Sequence, residues 1–92
     1  MNRSRLQVVY TGHVQGVGFR YNAKMVANGY EVTGTIRNRA DGTVELVAEG
    51  TKSELEAFRQ AIRESGAEGL IRNEEVVWGE AKNEFRGFEI VR

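Results

Sequence analysis

The residues of this chain best suited to chemistry lie in Gly12-His-Val-Gln-Gly-Val-Gly-Phe-Arg20. Gly16 and Gly18 let the backbone turn so that successive N–H groups converge on one point, as anion-binding loops require. A helical pattern begins at Phe19, and a helix N-terminus adds partial positive charge. Arg20 then contributes a planar, permanently charged fork that matches phosphate oxygens. These residue types predict an oxyanion cradle built from the amides of the glycine loop and from the Arg20 guanidinium. The pattern is neither of the commoner phosphate signatures: a Rossmann fingerprint needs glycine where Tyr21 stands, and a Walker loop needs Gly-Lys-Ser/Thr. A strand-to-helix turn that uses glycine for geometry alone is the alternative, and the arginine at the helix start favours the anion.

A second candidate is Asn38, just ahead of the turn Ala40-Asp41-Gly42. On residue type alone it is an Asx-turn residue bonded to its own backbone; near the glycine loop, its amide could orient a water towards a bound phosphorus. His13 could act as a base, but its position after a strand fits an exposed structural histidine better. Asp41 is accounted for by the turn, and Glu45 by the solvent side of a strand. Arg37 and Arg39 flank Asn38 and by alternation point to the other face, as solvated charges. Trp78, Phe85 and Phe88 read as core and sheet aromatics.

The elements that must position these residues are legible from periodicity. Leu6 to Tyr10 is a strand rich in β-formers. Phe19, Ala23, Val26 and Tyr30 mark one face of a helix, stopped at Asn28-Gly29 by a glycine suited to a left-handed cap. Glu31 to Arg39 and Thr43 to Glu49 alternate as a hairpin about Asp41-Gly42. Leu55, Phe58 and Ile62 form the sheet-facing side of a second helix ending near Gly66. Its start has two competing capping boxes, Thr51 with Glu54 and Ser53 with Glu56. Residues 66 to 73 read as a loop, and Glu75 to Ala81 and Phe85 to Val91 as strands. The order β-α-β-β-α-β plus one terminal strand predicts an α+β, ferredoxin-like antiparallel sheet with both helices on one face.

Ninety-two residues suffice for one domain with one core, spanning residues 1 to 92. No apolar run approaches the roughly 20 residues of a membrane span, and the N-terminus leads into a strand rather than a signal sequence, so a cytoplasmic protein is expected. The absence of cysteine excludes disulfides, thiolate metal sites and a cysteine nucleophile, and a single histidine excludes a multi-histidine metal site. Neither metal nor cofactor is expected. Residues 1 to 40 carry six Lys/Arg against one acid, Glu31, and the remainder seven against twelve, so the halves stand at +5 and −5. That places positive potential around the glycine loop, enough for a small anion and too little for a nucleic-acid footprint.

Two segments, Gly12 to Arg20 and Gly34-Thr-Ile-Arg-Asn38-Arg-Ala-Asp41-Gly42 through Gly50, together resemble the acylphosphatase family. The likeness covers residues 5 to 65 well and is looser beyond Gly66. It implies metal-independent hydrolysis of the carboxyl-phosphate bond of acyl phosphates, with inorganic phosphate as product and no covalent phosphoenzyme. It also implies that Arg20 and the amides of 15 to 20 bind the phosphoryl group, that Asn38 holds the attacking water, and that the substrate's own phosphate takes the proton. The chain departs from the family at Thr35 and Asn22, where members often carry aromatic residues, and in lacking proline. The same motif opens large hydrogenase-maturation carbamoyltransferases, which carry zinc-finger cysteines absent here. A non-catalytic small-anion-binding or regulatory ferredoxin-like module is the alternative of another class. An RNA reader would show paired aromatics on the central strands, where Val8, Tyr10, Val44 and Leu46 give one. The expectation is therefore a monomer acting on a small molecule, with neither nucleic acid nor membrane as partner.

Overall fold

The structure, a computed structural model, describes residues 2–92. Five strands and two helices follow the order β1 (Ser4–Gly12), α1 (Phe19–Ala27), β2 (Thr33–Asn38), β3 (Val44–Gly50), α2 (Lys52–Ile62), β4 (Ile71–Glu80) and β5 (Phe88–Ile90). One sheet contains all five strands in the spatial order β4-β1-β3-β2-β5. The four-stranded body is antiparallel, and β5 adds to the β2 edge in parallel, giving the ferredoxin-like α+β sheet a short extra strand.

Alternation assigns the faces. Leu6, Val8 and Tyr10 of β1, Val44, Leu46 and Ala48 of β3, and Ile36 of β2 are buried on the helix-covered side. Phe19, Ala23 and Ala27 of α1 and Leu55, Phe58 and Ile62 of α2 close over them. Aromatic rings join the layers: Tyr10 meets Phe19 edge-on at 4.9 Å, and Phe58 meets Phe88 at 5.4 Å. Thr51 is the cap of α2, accepting the Glu54 amide at 3.3 Å, which settles the choice between the two capping boxes. The Glu54 carboxylate does not complete the box; it accepts the Glu31 amide at 2.8 Å and ties the entry of β2 to this helix.

Register decides where the site can be. β1 and β2 both run antiparallel to β3, so they are parallel to each other and end at the same edge of the sheet. Tyr10, Val44 and Asn38 are successive partners across three strands, which puts Tyr10 and Asn38 about 10 Å apart at two strand spacings. The loop that leaves β1 and the end of β2 therefore share one end of the molecule.

Three local expectations change. The stop of α1 falls at Ala27–Asn28 as expected, but Asn28 is right-handed and Gly29 does not take the left-handed cap; the end closes by short-range bonds from Gly29 to Val26 and from Tyr30 to Ala27. The stretch 66 to 73 is not all loop: residues 68 to 70 form a short helical turn and β4 begins at Ile71. That early start comes from partners the local pattern does not show, a bulge at Thr11/Gly12 that brings Ile71 opposite Gly12, and a bond from the His13 amide to the Leu70 carbonyl at 2.9 Å. The last strand shortens to Phe88–Ile90, because residues 81 to 87 must cross from the β4 edge of the sheet to the β5 edge.

Glu49 organises that crossing. Its side chain is fully buried, yet it receives the Lys82 amide at 2.8 Å, the Asn83 amide at 2.9 Å and the Arg5 guanidinium at 2.9 Å. Burial pushes its carboxyl up, but the two amides and Arg5 outweigh burial and hold it below the usual range. Arg5 also binds Glu84 at 3.0 Å and lies 5.4 Å from the centre of the Phe85 ring, and the Gly87 carbonyl receives the Gly34 amide. This crossing occupies the end of the sheet opposite Gly12 and Asn38.

Candidate active site

The strand-to-helix loop has the backbone its glycines suggest. Gly16 has φ 75° and Gly18 φ 79°, and Gly18 is the residue that enters α1. A Cβ on either would meet nothing within 4 Å, so the glycines are required by conformation and not by crowding. No side chain caps α1. Among the described residues, no hydrogen bond within the chain uses the backbone N–H groups of residues 15 to 20. Several consecutive donors at a helix start are thus free for an anion. The Arg20 side chain is half-buried beside them and forms no hydrogen bond or ion pair among the described residues. A hollow of about 120 Å³ lined by Val14, Gly16, Gly18, Phe19, Arg20 and Tyr21 marks the place. It lies well below the roughly 300 Å³ at which drug-sized sites begin, and suits a small group.

Gln15 fixes this loop to the hairpin. Its amide nitrogen donates to the Arg39 carbonyl at 2.8 Å and to the Thr43 carbonyl at 2.9 Å, bridging the two strands immediately beyond Asn38. Sequence reading used only the backbone of Gln15, and nothing local signals that its side chain would reach across 24 and 28 positions. Asn38 shares the helix-covered face with Gly34 and Ile36, by the period of the strand. Its Oδ1 is shielded from solvent and accepts no hydrogen bond among the described residues. An Asx-turn role is therefore filled by another residue: Asp41 accepts both the Thr43 amide at 3.0 Å and the Thr43 hydroxyl at 2.6 Å. Those two bonds also hold the Asp41 carboxyl below its usual range.

The other candidates separate from this pair. His13 is exposed, and its backbone is used in the bond to Leu70. Arg37 is not merely solvated: it binds Glu45 at 2.7 Å on the open face, where Gln7 adds a bond of 2.6 Å. Burial raises the Glu45 carboxyl, and Arg37 and Gln7 more than offset it, leaving it low. Trp78 is half-buried, with Lys52 5.3 Å from its ring centre, and Phe85 serves the Arg5 contact instead of the core. Arg3 and Arg5 lie at the far end of the sheet, bound to Asn83, Glu49 and Glu84. The expected positive end is thus built from fewer residues than the count for positions 1 to 40 suggests.

Behind the site lies a cluster that the sequence did not single out. Tyr10 is buried with an unbonded hydroxyl, and burial pushes its phenol far above the usual value against the opposing charges of Arg59 and Arg63. Those arginines pair with the nearly buried Glu74, Arg59 at 3.3 Å. A wider hollow of about 580 Å³, lined by Asn2, Arg3, Glu80 and Asn83, opens at the end of the sheet remote from the free amides and from Asn38. Among the described residues, no group of three or more His, Asp or Glu is placed to hold a metal ion, and no helix is long and apolar enough to cross a membrane.

Comparisons with known proteins extend over nearly the whole chain. The family model described as Acylphosphatase matches residues 6–90. The chain is 39% identical over 88 residues to an acylphosphatase of Salinibacter ruber, covering 96% of this chain and 93% of that one. It is 41% identical over 90 residues to an acylphosphatase of Pelotomaculum thermopropionicum, covering 98% of each. The crystal structure of acylphosphatase from Bacillus subtilis superposes with a TM-score of 0.87 at 32% identity, covering 97% of this chain and 99% of that one.

Proposed function

The chain belongs to the acylphosphatase family, hydrolases of the acid-anhydride bond of acyl phosphates, and from that premise we propose how its residues carry the reaction. The phosphoryl group sits in the glycine loop of an acylphosphatase-like domain. Its oxygens accept hydrogen bonds from the amides of Gln15, Gly16, Val17, Gly18, Phe19 and Arg20, and the guanidinium of Arg20 spans two of them. The observation that carries this reading is the row of backbone amides at the start of α1 that bond nothing else among the described residues, beside a guanidinium equally without a partner there.

Asn38 takes the second role. Its unbonded Oδ1 accepts a hydrogen bond from a water and leaves the water's lone pair directed at phosphorus. The water oxygen bonds to phosphorus as the bond to the acyl oxygen breaks, and that electron pair leaves on the carboxylate. The water's proton passes to a phosphoryl oxygen, so the products are carboxylate and inorganic phosphate. A loose phosphoryl transition state asks for positioning and for stabilised charge more than for covalent help. The carboxylate is already a good leaving group, and no side-chain base is required.

The proposal is of a cytoplasmic monomer acting on small acyl phosphates, without metal, nucleic acid or membrane. Its test is hydrolysis of benzoyl phosphate by purified protein with and without EDTA. Equal rates are expected, and activity that disappears with chelator and returns with a divalent ion would overturn the metal-free assignment.

A further inference from the structure

We propose that an acyl phosphate bound in the glycine loop also transfers its acyl group to Lys24, so that the chain acylates itself at one lysine in a slow side reaction. The inference rests on the reading of the cradle given above and concerns the carbonyl carbon, which neither the loop amides nor Asn38 engages. Lys24 lies four residues after Arg20 on α1, and side chains at that spacing are neighbours with Cβ atoms about 5–6 Å apart. A helical side chain leans towards the helix N-terminus and covers the turn before its own Cα. For Lys24 that turn carries Arg20 and Tyr21, which line the hollow of about 120 Å³. Lys24 is exposed and forms no ion pair among the described residues, so its flexible four-carbon stem is free to reach the mouth of the loop.

An acyl phosphate is a mixed anhydride with two electrophilic atoms. Donors that neutralise its phosphoryl oxygens make phosphate a better leaving group for attack at carbon, as they favour attack at phosphorus. The nucleophile then decides which bond breaks. Water held by Asn38 attacks phosphorus, whereas the neutral amine of Lys24 adds its lone pair to the carbonyl carbon. The bond from that carbon to the phosphate oxygen breaks, its electron pair leaves on phosphate, and the proton shed by nitrogen passes to the phosphate. The products are an Nε-acyl-lysine and inorganic phosphate, and no other reactant is needed. The chain supplies its own controls, because its other lysines, Lys52 and Lys82, are equally exposed. Lys52 follows the end of β3 and lies over the Trp78 ring, and the Lys82 backbone amide donates to Glu49. Both stand at the far end of the sheet, roughly 15–20 Å along β3 from Val44, the partner of Asn38.

The test incubates the purified protein with benzoyl phosphate and follows benzoylation of each lysine by peptide mass spectrometry, beside hydrolysis of the same substrate. Lys24 should be labelled about tenfold or more faster than Lys52 and Lys82, as a nucleophile held near its reactant. Inorganic phosphate should slow labelling of Lys24 with the same constant as it inhibits hydrolysis, and leave the other two lysines unchanged. Arg20→Ala should bring Lys24 down to their rate. Asn38→Ala keeps the substrate bound while hydrolysis falls, so Lys24 labels per substrate hydrolysed should rise by the factor that hydrolysis loses. Equal labelling of all the lysines, or a preference for Lys24 that phosphate does not suppress, overturns self-acylation and leaves the cradle standing where phosphate still inhibits hydrolysis. A protein that does not hydrolyse benzoyl phosphate, and in which phosphate protects no lysine, overturns the cradle reading and this inference with it.

Discussion

Asn38 keeps a shielded amide oxygen unbonded, and a buried acceptor in that state costs about 1–3 kcal/mol. On the proposed reading, the attacking water supplies the missing partner. Asn38→Ala should lower turnover of benzoyl phosphate about a hundredfold, leave phosphate inhibition unchanged, and leave the urea midpoint equal or higher. A large loss of stability would restore the turn-residue reading. Arg20→Ala should cost about 10²- to 10³-fold in kcat/KM, the scale of one lost oxyanion donor, and raise the inhibition constant for phosphate in step. Arg20→Lys should recover little, because an ammonium lacks the two-pronged geometry. The glycine loop and Arg20 stand out as a local pattern, whereas Asn38 by residue type alone reads as a turn residue and takes its proposed role from the family resemblance. Gln15 was only half legible, because what its side chain does depends on two carbonyls of a distant hairpin.

At the scale of elements, the Gln15 bridge ties the glycine loop to the hairpin beside Asn38. Gln15→Ala should lower stability by about 1 kcal/mol for the lost bonds and raise the inhibition constant for phosphate several-fold, as the loop loses its tie to β2 and β3. Acid and thermal melts of Glu49→Gln examine the opposite end. Glu49 binds its proton more weakly in the fold than in the unfolded chain, so its contribution is complete above the unfolded carboxylate value near pH 4.3 and fades as pH falls through the lower folded value. The variant should be about 2 kcal/mol less stable at pH 7 and lose less on acidification than the wild type. Alternation reads Glu49 as a solvent-side strand residue, because the segment that buries it arrives from 33 and 34 positions away. The early start of β4 was hidden for a similar reason: its first partners, Gly12 and His13, lie in the loop after β1. Helices and hairpin were legible because their signals fall within one or two turns of chain.

Across the whole molecule, the sheet divides labour between its ends. At one end Arg3, Arg5, Glu49 and residues 82 to 87 compensate one another in a closed network. At the other, Arg20 and the start of α1 remain without partners among the described residues. On the proposed reading a small acyl phosphate goes to this second end, and the larger hollow at the compensated end should not compete. Titration of the 15N-labelled protein with inorganic phosphate, followed at every backbone amide, tests this most directly. Saturable shifts should concentrate at residues 15 to 20 and vanish in Arg20→Ala, with the same saturation constant as inhibition of turnover. Shifts centred on Asn2, Arg3 and Glu80, or an unchanged glycine loop in a protein that phosphate inhibits, would contradict the account.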